Sequence, residues 1–292
     1  GDSMIGSALF KHLKQCQQTV VATTRNKVEK SEQIFLDMAA PIDDWPDLPS
    51  AKTWVIVAAI ARLAECRKDP EASYKVNFLA VKELTQRAKE SRARVVFLSS
   101  DKVFDGLQKS RSEEDPTCPQ SEYGRQKASA EKIVLNTSHD NLVIRLTKVL
   151  SQDDSLFTAW RDAFMHGEPV KAFTDMTLAP VSIDTVVIGI SRAINKNISG
   201  ILHFSGPKDT TYATAALHYA KLLGAQLENV MPIEASQFGI PCEERPPFSS
   251  LNSERATKIL DLKFDPLNTL LRNMLEVYQS KHTAEINDAY GA

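Results

Sequence analysis

Short apolar runs alternate with longer stretches of helical period through the first half of the chain, the pattern of β-α units feeding a parallel sheet. The runs at 19–24, 33–36, 53–57, 94–98 and 141–146 predict strands, and the stretches at 7–15, 70–90 and 123–135 space their apolar positions as amphipathic helices do. Beyond residue 149 the rhythm changes. Helices are predicted over 155–166, 183–195, 212–223 and 252–260, joined by Pro- and Gly-containing connections at 167–169, 206–207 and 241–247. One more strand, 201–204, falls inside this second half. The expectation is an α/β fold: a Rossmann-type, doubly wound parallel sheet over 1–150 and a smaller C-terminal α/β lobe over 151–292, the two partly interleaved.

The first residues, Gly1-Asp2-Ser3-Met4-Ile5-Gly6, look like the end of a glycine-rich turn running into a helix, where backbone N–H groups can approach a pyrophosphate. Ser3, Met4 and Ile5 are the candidate contacts, although the same residues also suit an ordinary helix cap. In a G-x-x-G-x-x-G frame ending at Gly6 the first glycine falls before residue 1, and the first strand with it. That strand is central in a sheet of order 3-2-1-4-5-6, so its absence leaves 19–24 and 53–57 without their shared neighbour. A natural chain extended upstream by one short strand is the expectation. Arg25, after the run 19–24, stands where an acidic residue would hold an adenosine ribose and an arginine would accept a 2′-phosphate, which favours NADP over NAD. Asp37 and Met38 follow the next strand and are candidates for contacting adenine, though Asp37 also suits the start of a turn.

The densest chemistry lies further on. Tyr123-Gly124-Arg125-Gln126-Lys127 follows the strand-like Val95-Val96-Phe97-Leu98-Ser99-Ser100-Asp101. Tyr and Lys four residues apart share one helix face, and a cation beside a phenol lowers its pKa from about 10 towards the range of general acid–base chemistry. Ser100, ending the strand, can hold a carbonyl against the same Tyr. Alone, Y-x-x-x-K more often marks a surface pair. The strand ending in Ser-Ser-Asp, the loop with Asp105-Gly106 and Pro116, and then the Tyr-bearing helix supply the context for the catalytic reading.

Composition narrows the field. The charge is nearly balanced, 35 basic against 37 acidic residues, with no basic block, which argues against a nucleic-acid partner. The longest apolar run, Trp54 to Ala61, is too short for a membrane span, and no signal-peptide pattern is read at the start. Cys16, Cys66, Cys118 and Cys242 are widely spaced and the six histidines are scattered, so reduced thiols, a cytoplasmic location and no metal are expected.

Phe97 to Gly106, with Tyr123 to Lys127 and Ala130-Glu131, resembles the extended short-chain dehydrogenase/reductases, above all the dTDP-4-dehydrorhamnose reductase-like, sugar-nucleotide-binding branch. Val55 to Ala59 followed by Asp69-Pro70 and Val76-Asn77 is similar to that branch's cofactor-facing strand and next helix, which implies cofactor contacts at Ala58, Ala59 and Asn77. The resemblance implies an enzyme that passes hydride from NADPH to a nucleotide-linked 4-keto-6-deoxysugar. In that reading Tyr123 is the general acid, Ser100 polarises the carbonyl, and Lys127 holds the nicotinamide ribose. A homodimer is compatible with it. Lys102 stands where the branch usually has Tyr, and Lys148 where it usually has an aromatic residue or Ser, which leaves the sugar open. An epimerase or dehydratase that retains its cofactor, and a non-catalytic NADP-binding regulatory subunit such as that of methionine adenosyltransferase, are the alternatives.

Overall fold

The computed structural model describes residues 3–26, 28 and 32–290, with side chains up to residue 280. Helix α1 (Met4–Gln15) opens on Ser3, whose side chain accepts from the Gly6 N–H at 3.0 Å. Strands β1 (Ala22–Thr24) and β2 (Gln33–Phe35) pair in parallel as a separate two-stranded sheet. Next come β3 (Thr53–Ile56), α2 (Leu63–Lys68), α3 (Pro70–Tyr74), a π-helical stretch Lys75–Leu79, and α4 (Ala80–Glu90). The helix expected over 70–90 is therefore interrupted in its middle. Strand β4 (Arg94–Ser100), α5 (Glu122–Thr137) and β5 (Leu142–Leu146) complete the first half.

The main sheet is parallel and runs β10-β5-β4-β3, where β10 (Gly200–Phe204) comes from the second half of the chain. Among the described residues β3 pairs only with β4 and β1 only with β2, so no ladder joins the two sheets. The run 19–24 is strand only over its last three residues, those that find a partner in β2. Conversely, β4 extends two residues past the expected end because Ser99 and Ser100 stay in register with Arg145 and Leu146.

Strands β4 and β5 are covered on both faces, which is why their sequences read as continuous apolar runs instead of alternating. Val96, Leu98, Leu142 and Ile144 face a core with Leu9 of α1 and with Val186 and Ile190 of α7 (Ile183–Asn195). Val95, Phe97 and Val143 face a second core with Val81 and Leu84 of α4 and Ala130 and Val134 of α5. Fully burying each of the larger side chains contributes roughly 1.5–3 kcal/mol.

The rest forms a third core. The elements left, most of which build it, are β6 (Val149–Leu150), α6 (Ser155–Met165), β7 (Val170–Phe173), β8 (Thr177–Leu178), β9 (Val181–Ser182), β11 (Thr210–Thr211), α8 (Tyr212–Leu223), β12 (Val230–Ile233), α9 (Glu254–Leu260) and α10 (Leu267–Tyr290). Phe157 and Trp160 of α6, Tyr219 of α8 and Leu271 of α10 pack at its centre. Helix α9 instead joins the first core through Ala256 and Leu260. No described helix is long and apolar enough to cross a membrane.

Candidate active site

Strand β4 delivers Ser100 to the C-terminal edge of the sheet, where a short turn, Asp101–Val103, begins at once. The Ser100 hydroxyl donates to the Asp101 carboxylate at 2.9 Å and accepts the Lys102 N–H at 3.2 Å, while the Lys102 ammonium pairs with the same carboxylate at 2.9 Å. Helix α5 starts against this turn, capped by Ser121. The approach demands glycine: a Cβ at Gly124 would stand 2.0 Å from the Lys102 carbonyl oxygen. That contact holds Tyr123 beside Ser100, near enough for the serine hydroxyl to act on the phenol.

Tyr123 is buried, and burial pushes its phenol above the ordinary value; Asp101 and Cys66 push the same way, and the Ser100 hydrogen bond opposes them. The sequence led us to expect a phenol lowered by Lys127. The structure shows instead a tyrosine that keeps its proton, because desolvation and the nearby negative groups both favour the neutral phenol. Lys127 is 1% exposed, its Nζ lies 4.1 Å from the centroid of Phe97, and it has no hydrogen-bond partner among the described residues. Burial draws its pKa down to about 7, against an opposing pull from Glu131.

Asn77 sits in the π-helical stretch, fully buried. Its Oδ1 accepts the Ile60 N–H and its Nδ2 donates to the Ile60 carbonyl, both at 2.9 Å, and Nδ2 reaches Gln126 Oε1 at 2.8 Å. Gln126, between Tyr123 and Lys127 in sequence, donates in turn to Ser73 at 2.9 Å and to Glu122 at 3.0 Å. Asn77 thus pins the segment just after Ala58 and Ala59, at the end of β3, to the helix that carries Tyr123. The π turn inserts where this side chain must face inward, a common setting for such irregularities.

The remaining predicted positions lie apart from this group. Ser3 is the N-cap of α1, with Met4 exposed and Ile5 packed on the first core. Arg25 is exposed just after β1. The Asp37 carboxylate accepts the Ala39 N–H at 3.0 Å and so builds a turn, and Met38 is buried against Leu36 and Trp45. A cavity of about 590 Å³ opens between α1 and the β1–β2 pair, lined by residues such as Phe10, Lys11 and Lys14, away from Tyr123.

Other groups at the site were given no role from the sequence. Cys66 is buried, donates to the Ile60 carbonyl and lies near Tyr123; burial raises its thiol pKa. From the second half of the chain, Tyr212 brings a phenol pushed up to about 12 by burial, then by Asp154 and Asp101, one carboxylate from each half. Lys148 pairs with Asp154 at 2.9 Å. Arg145, a charged residue inside an otherwise apolar strand, was the legible signal for a further buried group. It forms a two-armed pair with Glu131. Among the described residues no three His, Cys, Asp or Glu side chains converge to hold a metal.

A doubly wound parallel sheet with Ser, Tyr and Lys gathered at the C-terminal edge of a central strand has the layout of short-chain dehydrogenase/reductases. Residues 1–280 match the family described as RmlD substrate binding domain, and the chain belongs to that family, an NAD(P)-dependent oxidoreductase branch of the extended short-chain type. A dTDP-4-dehydrorhamnose reductase of Burkholderia thailandensis is 31% identical over 71% of this chain and 76% of its own. The crystal structure of a hypothetical dTDP-4-dehydrorhamnose reductase from Sulfolobus tokodaii matches with a TM-score of 0.78 and 25% identity, over 90% of this chain and 93% of that one. The dTDP-4-dehydrorhamnose reductase of Bacillus anthracis, solved in complex with NADP, matches with a TM-score of 0.76 at 15% identity, over 93% and 94%.

Proposed function

We propose that this protein is a cytoplasmic, NADP-dependent reductase of a nucleotide-linked 4-keto-6-deoxysugar. The observation that carries the reading is the placing of Ser100 beside a buried Tyr123, with a buried Lys127 on the same helix face whose three N–H donors find no acceptor among the described residues. Such an ammonium fits a polyhydroxylated ligand, and a bound nicotinamide ribose supplies the acceptors it lacks. The capped start of α1, the segment Ala58 and Ala59 held by Asn77, and Arg25 are the other residues to hold the cofactor. NADPH, when bound, supplies the hydride.

The chain's own residues do the rest. Ser100, turning its one hydroxyl hydrogen away from Asp101, donates to the substrate carbonyl oxygen and polarises it, and Tyr123 gives that oxygen a proton as negative charge develops there. A phenol kept protonated by burial is in the right state for this direction. We assign the sugar to the lobe beyond residue 150, facing Tyr123 with Tyr212 and the Lys148–Asp154 pair. Intact Ser100, Tyr123 and Lys127 favour catalysis over a purely regulatory role.

The test is turnover of NADPH with nucleotide-linked keto sugars, in which one oxidised cofactor should be released per substrate reduced. Tyr123→Phe should lose about 10²–10⁴-fold in kcat and bind NADPH as the unmodified protein does. Undiminished turnover in that variant removes Tyr123 as the acid. Cofactor retained through repeated turnovers points to the epimerase or dehydratase reading instead.

A further inference from the structure

Tyr123, Lys127 and Glu131 follow one another at four-residue spacing on α5 and therefore share a face. All three are buried, and behind them stands a chain of further buried polar groups. Arg145 on β5 grips Glu131 with a fork: Nε lies 3.0 and 3.2 Å from the two carboxylate oxygens and Nη2 lies 2.8 Å from Oε2. The guanidinium rests on Phe104, 4.9 Å from its centroid, and its remaining arm, Nη1, is 3.3 Å from His203 Nε2 on β10. His203 is held neutral, its pKa drawn to about 3 by burial and then by Arg145, so Nε2 accepts from that arm. Glu113 accepts the His203 backbone N–H at 3.3 Å.

A buried Arg–Glu pair is weak evidence of stability, since an apolar pair of similar volume often serves as well. Its position supplies another reason. No carboxylate lies within 4 Å of Lys127 in any described ion pair; Tyr123 and Glu131 share its helix face, the Phe97 ring of β4 lies against it, Arg145 of β5 is held on Glu131, and the charges of Asp101 and Cys66 act on Tyr123. Of these, Glu131 is the group that counters the desolvation of the ammonium. Free to swing, a glutamate there could turn from Lys127; the two-armed contact with Arg145 prevents it.

We propose that Glu131, fixed by Arg145, is a positioning residue that keeps the buried Lys127 ammonium charged. This rests on the reading of Tyr123 and Lys127 as the reductase pair. Removing the Glu131 carboxylate leaves Lys127 neutral at a lower pH, so activity that needs the charged lysine should fail earlier as pH rises.

The experiment follows the Lys127 side chain by NMR in protein labelled with 13Cε lysine, and the alkaline limb of kcat in parallel. In Glu131→Gln both midpoints should move to lower pH by roughly one unit or more, and Glu131→Asp should restore part of the shift. Glu131→Gln leaves Arg145 buried and unpaired; if it does not fold, Glu131→Asp, which keeps both charges and draws the carboxylate back by one methylene, carries the test with a smaller downward shift. A Lys127 midpoint that stays put in whichever of the two variants folds overturns the proposal. A midpoint that moves as expected in a protein that reduces no keto sugar upholds it and defeats the reductase reading.

Discussion

The two ends of the proposed cofactor site are built to different standards. At the catalytic end, Ser100 closes a seven-residue strand, Tyr123 lies in the first turn of a sixteen-residue helix, and Ser100, Tyr123, Lys127, Gln126 and Asn77 are all buried. At the nucleotide end, Arg25 and Asp37 follow strands of three residues each, in a sheet not paired to the main one, and both lie at or near the surface. The contrast teaches where precision is required. Proton transfer depends on sub-ångström placement and on desolvation, so it is set in the rigid core. Discrimination between two nucleotides asks only for a charge within reach. A change at the first end should therefore act on fold and turnover together, and a change at the second on cofactor choice alone.

The largest effect should come from Asn77→Leu. The leucine is close in size but leaves the Ile60 N–H and carbonyl without their partners and strands Gln126, so a loss of about 2–4 kcal/mol in unfolding free energy is expected. Turnover should fall with it, because the clamp ties the end of β3 to α5. Urea titration and kcat measured on the same preparation test this. An Asn77→Leu protein of unchanged stability would mean that the catalytic end is not over-determined and that the contrast is false.

Next in size is a pH effect. His203 has its folded pKa depressed to about 3 against about 6.5 in the unfolded chain, so its contribution to stability is fully present above pH 6.5 and is lost as pH falls towards 3. The unfolded chain binds more protons throughout that window, and stability drops by at most about 1.4 kcal/mol per pH unit from this group. Thermal unfolding between pH 7 and 4 should show the fall, and His203→Asn should flatten it even where it lowers Tm at every pH. An equal slope in the variant assigns the acid sensitivity to carboxylates elsewhere.

The sequence showed the catalytic end better than the other for the same physical reason. Buried elements must be long and patterned, and β4 and α5 announce themselves through an unbroken apolar run and a helical period. What stayed hidden depends on contacts distant in the chain. Asn77 clamps Ile60, 17 residues away, and Gln126, 49 residues away, and no local pattern records that. The π-helical break at Lys75–Leu79 keeps the composition of a helix. The strands β6, β8, β9 and β11 have two residues each, too few for any period to show. The direction of the Tyr123 shift differs from the expectation because spacing displays the charge of Lys127 and conceals the burial that raises the phenol.

The smallest effect, and the sharpest probe of the contrast, is Arg25→Ala. Arg25 is exposed, and a charge-assisted contact between its guanidinium and a 2′-phosphate would form with NADPH alone, since NADH has no such group. Solvent weakens the contact, so the preference at stake is roughly tenfold, about 1.4 kcal/mol. Fluorescence titration of both cofactors should show tighter NADPH binding in the unmodified protein, near-equal affinities in Arg25→Ala, and unfolding curves that superimpose. Loss of stability in this variant would place Arg25 in the framework of the fold and erase the distinction between the two ends. Equal affinities before any substitution would mean instead that Arg25 takes no part in choosing the cofactor, and that an exposed charge after a three-residue strand is too loosely held to do so.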